Sequence, residues 1–345
     1  MTATAAENEK NKLSTQTETN TDSSSYNQKA EGQKESLITD FTVKSILDYE
    51  QKRYKRKGFG ILVSATTAFS YFYFFPQFLH WVWPKEKIEN EGLFYFLVTF
   101  LTHEAVFLFC NFYFALIHIA NLNFFERYKV SPDPWPWQSD PVAWKIQLSK
   151  TIKQLLFNHL LILPGLMLPN LLFNVCPYRL EPELPSFWEL IPQLLICMIC
   201  EDFSFYWSHR LLHSDKFYNK IHKMHHEFKQ SCCISSEYAH PFEYIFGNIL
   251  TTNLGAMLLG KRMHFISYLV SLVMMIHETH DGHCGYEFSW SPHRLLPFSI
   301  GAEFHIFHHL KFKGNYASLF TIWDRVGNTI NKSYLEYYHA KEKKE

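Results

Sequence analysis

The stretch LLICMICEDFSFYWSHRLLH, residues 194–213, runs from apolar residues into a pair of histidines. Its apolar half extends back to residue 187 and predicts a helix that enters a membrane. The polar pair Glu201 and Asp202 marks the point where the apolar run ends. His209 and His213 follow at a spacing of four residues, which places both imidazoles on one face of a helix. The stretch therefore predicts a membrane helix that ends in candidate metal ligands.

Four apolar runs are long enough to cross a bilayer, for which about 20 residues suffice. They cover roughly residues 59–83, 93–119, 155–175 and 187–207. A shorter apolar pair, 244–259 and 265–276, predicts a shallow hairpin that does not cross fully. The basic cluster at residues 52–57 predicts a cytosolic N-terminus. We therefore predict an all-α fold: a polytopic membrane helical bundle of about four spans plus a short shallow hairpin, with a cytosolic helical cap that holds the histidine clusters.

Polar segments flank this region. Residues 1–57 are rich in Ser, Thr, Asn, Gln, Lys and Glu, and we expect a disordered cytosolic tail because such a segment buries little apolar surface. Residues 331–345 form a second cytosolic tail, whose end, KEKKE, resembles a dilysine retrieval signal of the endoplasmic reticulum. An even number of spans returns the C-terminus to the cytosol. Lys+Arg and Asp+Glu are both 33, so the charge balance gives no indication of nucleic acid binding.

Three histidine clusters lie within residues 201–330. Each has two or three imidazoles at helical spacing, so that they share one face. The clusters are His209 and His213; His222, His225 and His226; and His305, His308 and His309. Three such faces can converge on a pair of metal ions.

The number and place of these histidines narrow the chemistry. Imidazole binds Zn, Cu, Fe and Ni, and eight or more ligands exceed one ion. The HExxH signature of zinc peptidases is absent from the sequence. A metal transporter would place its ligands inside the spans, whereas these clusters follow the spans. A cytosolic metal pair beneath an aromatic-rich core favours oxidation of a lipid by O₂ with iron. A histidine-rich membrane metal-binding or transport protein is the rival class.

A fourth group of histidines follows the hairpin. We predict that His280 and His283 complete the metal coordination. Candidate partners that orient the ligands are Glu201, Asp202, Glu237, His240, His277 and Asp281. Six other histidines lack partners at ligand spacing, and we interpret them as structural or interfacial; they are His80, His103, His118, His159, His264 and His339.

Residues 190–330 resemble the fatty-acid hydroxylase superfamily, and within it the sterol 4-methyl oxidases. The resemblance rests on His-Arg-Leu-Leu-His at 209–213, His-Lys-Met-His-His-Glu-Phe at 222–228 and Glu-Tyr-Ala-His-Pro-Phe-Glu at 237–243. It continues through His308-His309, Gly-Asn-Tyr-Ala-Ser at 314–318 and Trp-Asp-Arg at 323–325. This last block separates the sterol oxidases from the fatty-acid hydroxylases better than the histidines do.

The resemblance implies a membrane-embedded oxygenase domain over residues 58–330. It implies two non-haem iron ions held by the cluster histidines and His283, O₂ as oxidant, and electrons from NAD(P)H through cytochrome b5 or a similar carrier. The implied reaction is stepwise oxidation of a sterol alkyl group, most simply the C-4 methyl, before a partner dehydrogenase or decarboxylase removes the carbon. The implied location is the endoplasmic reticulum membrane, with both termini cytosolic.

The sequence departs from the family pattern near the third cluster. The family has HHDxHH, but here Phe304 replaces the first His and Ile306 replaces the Asp. Phe205 replaces a family His before the first cluster, and Gly282 and Cys284 also differ. These departures keep open a sterol side-chain (C-24) dealkylase, a sterol desaturase and a catalytically inactive scaffold.

Overall fold

A computed structural model describes residues 59–84, 88–296 and 298–337. Helices of eight or more residues are labelled in chain order. They are α1 (Phe59–Phe69), α2 (Phe75–Val82), α3 (Glu91–Ala120), α4 (Pro141–Phe157), α5 (Leu163–Leu172), α6 (Phe187–Leu212), α7 (Leu250–Leu259), α8 (Phe265–His283) and α9 (Ala302–Lys311). Within these ranges the only β structure is three isolated bridges, which confirms the all-helical prediction.

Helix α3 shows how the sequence makes a membrane-facing element. The Asn90 side chain accepts a hydrogen bond from the Leu93 amide at 2.8 Å and caps the start of the helix. Asn121, in the left-handed conformation with φ 44°, ends it. One face exposes large apolar side chains such as Phe109 and Phe112, which are 66% and 64% accessible. An apolar surface of this size outside a long helix is suited to lipid.

Three helical segments are long and apolar enough to cross a membrane: Glu91–Ala120, Pro141–Leu172 and Phe187–Leu212. They correspond to the predicted second, third and fourth spans, and the third begins earlier than predicted because Asp140 caps Val142 and Ala143. The predicted first span is also helical, but a π-helical turn at Ser70–Phe74 divides it into α1 and α2. The count of four spans therefore stays a prediction.

The predicted apolar hairpin forms from α7 and α8, which are joined at Gly260 (φ 51°). Every residue of α8 from Phe265 to Ile276 is buried. The helix packs against α3, α6, α7 and α9, so protein rather than lipid covers its apolar surface. A helix that is apolar on every side is typical of a protein core. Helix α8 is therefore the centre of the bundle, and its last turn carries histidines towards the clusters.

Some predictions fall outside the described residues. The N-terminal tail at 1–57, with its basic cluster at 52–57, is one of them, and the lysine-rich end at 341–345 is another. The division of the chain into two tails and one membrane domain therefore stays a prediction.

Candidate metal centre

Three segments bring the cluster histidines together. Helix α6 carries His209 in its last turn, with His213 directly after it, and α9 carries the third cluster. The second cluster is not α-helical as its spacing predicts but lies on a 3₁₀ helix, His222–Glu227. In this tighter turn, His222 and His226 face one group of histidines while His225 faces another. The three clusters therefore form two metal-sized groups.

The first group has five imidazoles, whose Nε2 atoms converge. His222 Nε2 is 3.1 Å from His209 Nε2 and 3.0 Å from His226 Nε2. His308 Nε2 is 3.1 Å from His226 Nε2 and 3.0 Å from His213 Nε2. The ligand atoms of all five lie within 4.8 Å of one another. This spacing is suited to one metal ion at the centre of the group.

The second group has four imidazoles, arranged in the same way. His283 Nε2 is 3.3 Å from His225 Nε2 and 3.0 Å from His305 Nε2. His309 Nε2 is 3.1 Å from His305 Nε2. The ligand atoms of the four again lie within 4.8 Å of one another. The consecutive residues His225 and His226 belong to different groups, and so do His308 and His309, so the two groups are adjacent.

The other ring nitrogen, Nδ1, of most of these histidines contacts an acceptor. Four backbone carbonyls lie 2.7–3.0 Å from Nδ1 atoms: Tyr316 (to His209), Thr279 (to His283), Gly314 (to His308) and Phe228 (to His309). The Tyr238 carbonyl lies 3.2 Å from His225 Nδ1, and Glu243 Oε1 lies 2.8 Å from His222 Nδ1. These acceptors assign the proton to Nδ1 and leave the Nε2 lone pairs facing one another, as metal ligands require.

The electrostatic environment favours neutral imidazoles. Burial lowers the pKa of His225 to about 4 and lowers the pKa of His283, His305 and His309 well below its usual value. Neighbouring imidazoles lower the pKa of His283, His305 and His309 further. The neutral ring is the form that binds a metal, so the donor set fits two ions with imidazole ligands.

The structure brings nine of the ten predicted ligands into the two groups. The tenth, His280, lies elsewhere on α8: its Nε2 is 3.1 Å from Asn111 Nδ2 and its Nδ1 is 2.7 Å from the Ile276 carbonyl. In the part of the chain that the structure describes, His280 belongs to neither group.

The six predicted partners of the ligands contact other parts of the fold. Glu201 accepts hydrogen bonds from the Ser318 hydroxyl, and Asp202 accepts them from the Leu319 and Phe320 amides. These two carboxylates thus hold the segment that follows the third cluster. The remaining four have separate partners: Ser291 and Arg294 for Asp281, His293 for His277, the Phe242 amide for His240, and His103 with His159 for Glu237.

Two residues that depart from the family pattern, Phe304 and Ile306, pack against apolar side chains. Phe304 is fully buried, and its ring packs against Tyr334 with centroids 5.1 Å apart. Ile306 is buried in a different apolar cluster, which includes Phe114. Both residues sit on α9 beside its ligand face, so the substitutions change helix packing. Phe205 lies closer to the metal groups, with its ring centroid 5.1 Å from that of His209.

Two features were missed by the sequence interpretation. Glu243 is the carboxylate that contacts a histidine of the first group, His222, and it was visible as the final residue of the Glu-Tyr-Ala-His-Pro-Phe-Glu motif. His103 and His159 meet at Glu237, although we interpreted both as isolated histidines. These two lie on different helical segments far apart in the sequence, so no local spacing could have indicated the contact.

A pocket that is partly open to solvent, with about 1050 Å³ of empty space, lies beside both histidine groups. His209, His222, His225, His283 and His305 form one end of it. Apolar side chains form much of the remaining wall; they are Leu212, Ile249, Leu272, Met275, Ile276 and Ile300. A pocket with such a mainly apolar wall is suited to an apolar molecule next to the histidine groups.

The bundle and its two adjacent histidine groups define a class: helical membrane proteins with clustered histidines that could hold metal ions beside a mainly apolar pocket. The chain belongs to the fatty acid hydroxylase family, whose model matches residues 194–329.

Several relatives cover most of this chain. It is 40% identical over 256 residues to methylsterol monooxygenase 1 of Gallus gallus. This match covers 71% of this chain and 79% of the relative. It is 36% identical to methylsterol monooxygenase 2-2 of Arabidopsis thaliana, over 71% of this chain and 88% of the relative. It is 33% identical to the very-long-chain aldehyde decarbonylase GL1-11 of Oryza sativa subsp. indica, over 72% of this chain and 89% of the relative. No solved structure matches the chain.

Proposed function

We propose that this protein is a methylsterol monooxygenase that oxidises the C-4 methyl group of a sterol with O₂ at a di-iron centre. The observation that carries the proposal is the pair of all-histidine groups at the end of the large, mainly apolar cavity. The relatives named methylsterol monooxygenase, at 36–40% identity over 71% of the chain, support the substrate class.

Nine histidines would hold the two ions. Five belong to the first group and four to the second, with the Nε2 atoms as ligands. Iron, when bound there, supplies the activation of O₂ for attack on an unreactive C–H bond. His280 remains a candidate tenth ligand, which would need to turn from Asn111 towards the second group.

The chain's own residues prepare the site for this chemistry. The carbonyls and Glu243 that contact the Nδ1 atoms fix the orientation of each ring, so that little rearrangement accompanies metal binding. Leu272, Met275 and Ile276 on α8 form an apolar wall beside the histidines. This wall excludes water and positions an apolar substrate with one carbon near the metal groups.

Electron delivery and location follow from the same proposal. We expect electrons from NAD(P)H through a cytochrome b5-type carrier, and a dehydrogenase or decarboxylase that acts on the oxidised product. Lys220, Lys223 and Lys229 are exposed on both sides of the second cluster, where an acidic carrier could approach the histidines. We place the protein in the endoplasmic reticulum membrane with both termini in the cytosol.

A sterol profile by mass spectrometry tests the function. Cells that lack the protein should accumulate 4-methylsterols, and the wild-type chain should restore the normal profile. Accumulation of sterols altered at C-24 would instead support side-chain dealkylation, and accumulation of long-chain aldehydes would support an activity like that named for the Oryza relative. An unchanged profile would contradict the proposal.

A further inference from the structure

A third cluster of potential ligands lies outside the two histidine groups. His103 comes from the middle of α3, His159 from the π-helical turn Asn158–Ile162, and Glu237 from the loop before residue 241. All three side chains are buried. Glu237 Oε2 lies 3.4 Å from His103 Nε2 and 3.2 Å from His159 Nε2, and the ligand atoms of the three lie within 4.8 Å of one another.

Glu104 fixes the orientation of both rings. Its Oε1 lies 3.0 Å from His103 Nδ1 and 3.0 Å from His159 Nδ1. Each Nδ1–H therefore donates to one carboxylate, which leaves each Nε2 with a lone pair. A carboxylate that accepts a hydrogen bond from the far nitrogen of a histidine ligand is a recurrent feature of protein metal sites.

The inner side of the cluster has an unsatisfied atom. Among the residues that the structure describes, none forms a hydrogen bond with the buried His159 Nε2. A doubly protonated His159 would instead donate its Nε2–H to Glu237 Oε2, which lies 3.2 Å away. In the neutral ring with its proton on Nδ1, the buried Nε2 lone pair faces the Glu237 carboxylate with no donor between them, which is costly and leaves a place for a cation.

We propose that His103, His159 and Glu237 bind a third divalent transition-metal ion through His103 Nε2, His159 Nε2 and a Glu237 carboxylate oxygen. Two imidazoles and one carboxylate are a recurrent donor set for Zn²⁺ and Fe²⁺. The cluster holds two carboxylates, Glu104 and Glu237, at the depth of membrane helices, where uncompensated negative charge is expensive. A divalent cation balances both charges while the two imidazoles stay neutral.

An ion bound at this cluster would connect separate parts of the fold. It would join α3, the π-helical turn and the loop that contains Glu237, three segments that are distant in sequence. Asn158, in the same turn, donates to the Ala239 carbonyl at 3.0 Å and reinforces that contact. His103 and Glu237 also line the large cavity, so the ion would stabilise part of the cavity wall.

Zinc counting in purified full-length protein tests the site. The detergent-solubilised chain is stripped with a chelator, reloaded with excess Zn²⁺ and desalted, and zinc per chain is measured by mass spectrometry. We expect His159→Ala to hold one zinc ion fewer than the wild type. Glu237→Gln, which keeps the side-chain shape, should bind one ion at least tenfold more weakly in chelator competition, since a neutral amide replaces the charged ligand.

His118→Ala is the matched control, because His118 is also a buried histidine of α3 but bonds to the Cys284 carbonyl. It should retain the wild-type zinc content. Equal zinc in the wild type and His159→Ala, or unchanged affinity in Glu237→Gln, would overturn the proposal. The difference of one ion does not depend on how many ions the two histidine groups hold, so failure of the proposed di-iron function gives a separate result.

Discussion

Replacing Glu243 with glutamine should weaken metal binding at the first histidine group. Glu243 Oε1 lies 2.8 Å from His222 Nδ1, and both side chains are buried. A hydrogen bond to a charged group contributes about 1.5–3 kcal/mol, against about 1 kcal/mol for a neutral one. Burial raises the pKa of the Glu243 carboxyl well above its usual value, whereas a cation bound by His222 favours the ionised carboxylate. The glutamine keeps a neutral acceptor, so the loss from the metal-bound state is on the order of 1–2 kcal/mol. At about 1.4 kcal/mol for each tenfold change, metal affinity should fall by roughly 5- to 30-fold.

Chelator competition with Co²⁺ or Zn²⁺ measures this change in the purified protein. Glu201→Gln is the matched control, because Glu201 is also a buried carboxylate on the cavity wall but contacts Ser318. It should leave metal affinity within about twofold of the wild type, since it contacts no ligand. An equal loss of affinity in both variants would show that cavity charge, and not the contact with His222, controls binding.

Three further predictions concern the ligands, pH and packing. His225→Ala and His308→Ala each remove a proposed ligand from a different group. Both should abolish sterol oxidation and lower bound iron while the protein stays in the membrane fraction. Retained activity in either variant would contradict the ligand assignment. Burial lowers the pKa of His225 to about 4, below the value of about 6.5 in the unfolded chain. The metal-free protein should therefore lose stability as pH falls from about 6.5 towards 4, because the unfolded chain binds a proton that the folded chain does not. A melting temperature that stays constant over this range would contradict the prediction. Phe304→Ala should destabilise the fold by about 3–5 kcal/mol through loss of buried packing while bound metal stays unchanged, and loss of metal with an unaltered melting temperature would instead give Phe304 a role at the centre.

The sequence predicts the helices and most of the metal centre for a clear physical reason. Apolar runs identify helices because burial and lipid contact both require them, and the i, i+3, i+4 spacing identifies ligands that share a face. This reasoning located eight of the nine histidines in the two groups, and the family resemblance indicated the ninth, His283.

The sequence could not predict how the histidines divide between the two groups. That division depends on the 3₁₀ geometry of the second cluster, where His225 turns away from His222 and His226. Nor could it predict the contact of His103 with His159, because only the packing of α3 against the following helical segment creates it. Contacts between distant segments depend on tertiary packing, which local spacing does not encode.

The 3₁₀ helix and α9 each supply ligands to both groups. His222 and His226 belong to the first group and His225 to the second, while α9 supplies His308 to the first group and the other two histidines of its cluster to the second. Ordering either segment around one ion therefore preorganises the neighbouring site. Uptake of the two ions should be cooperative, with little singly loaded protein at equilibrium, so iron limitation would divide the population into fully active and inactive molecules.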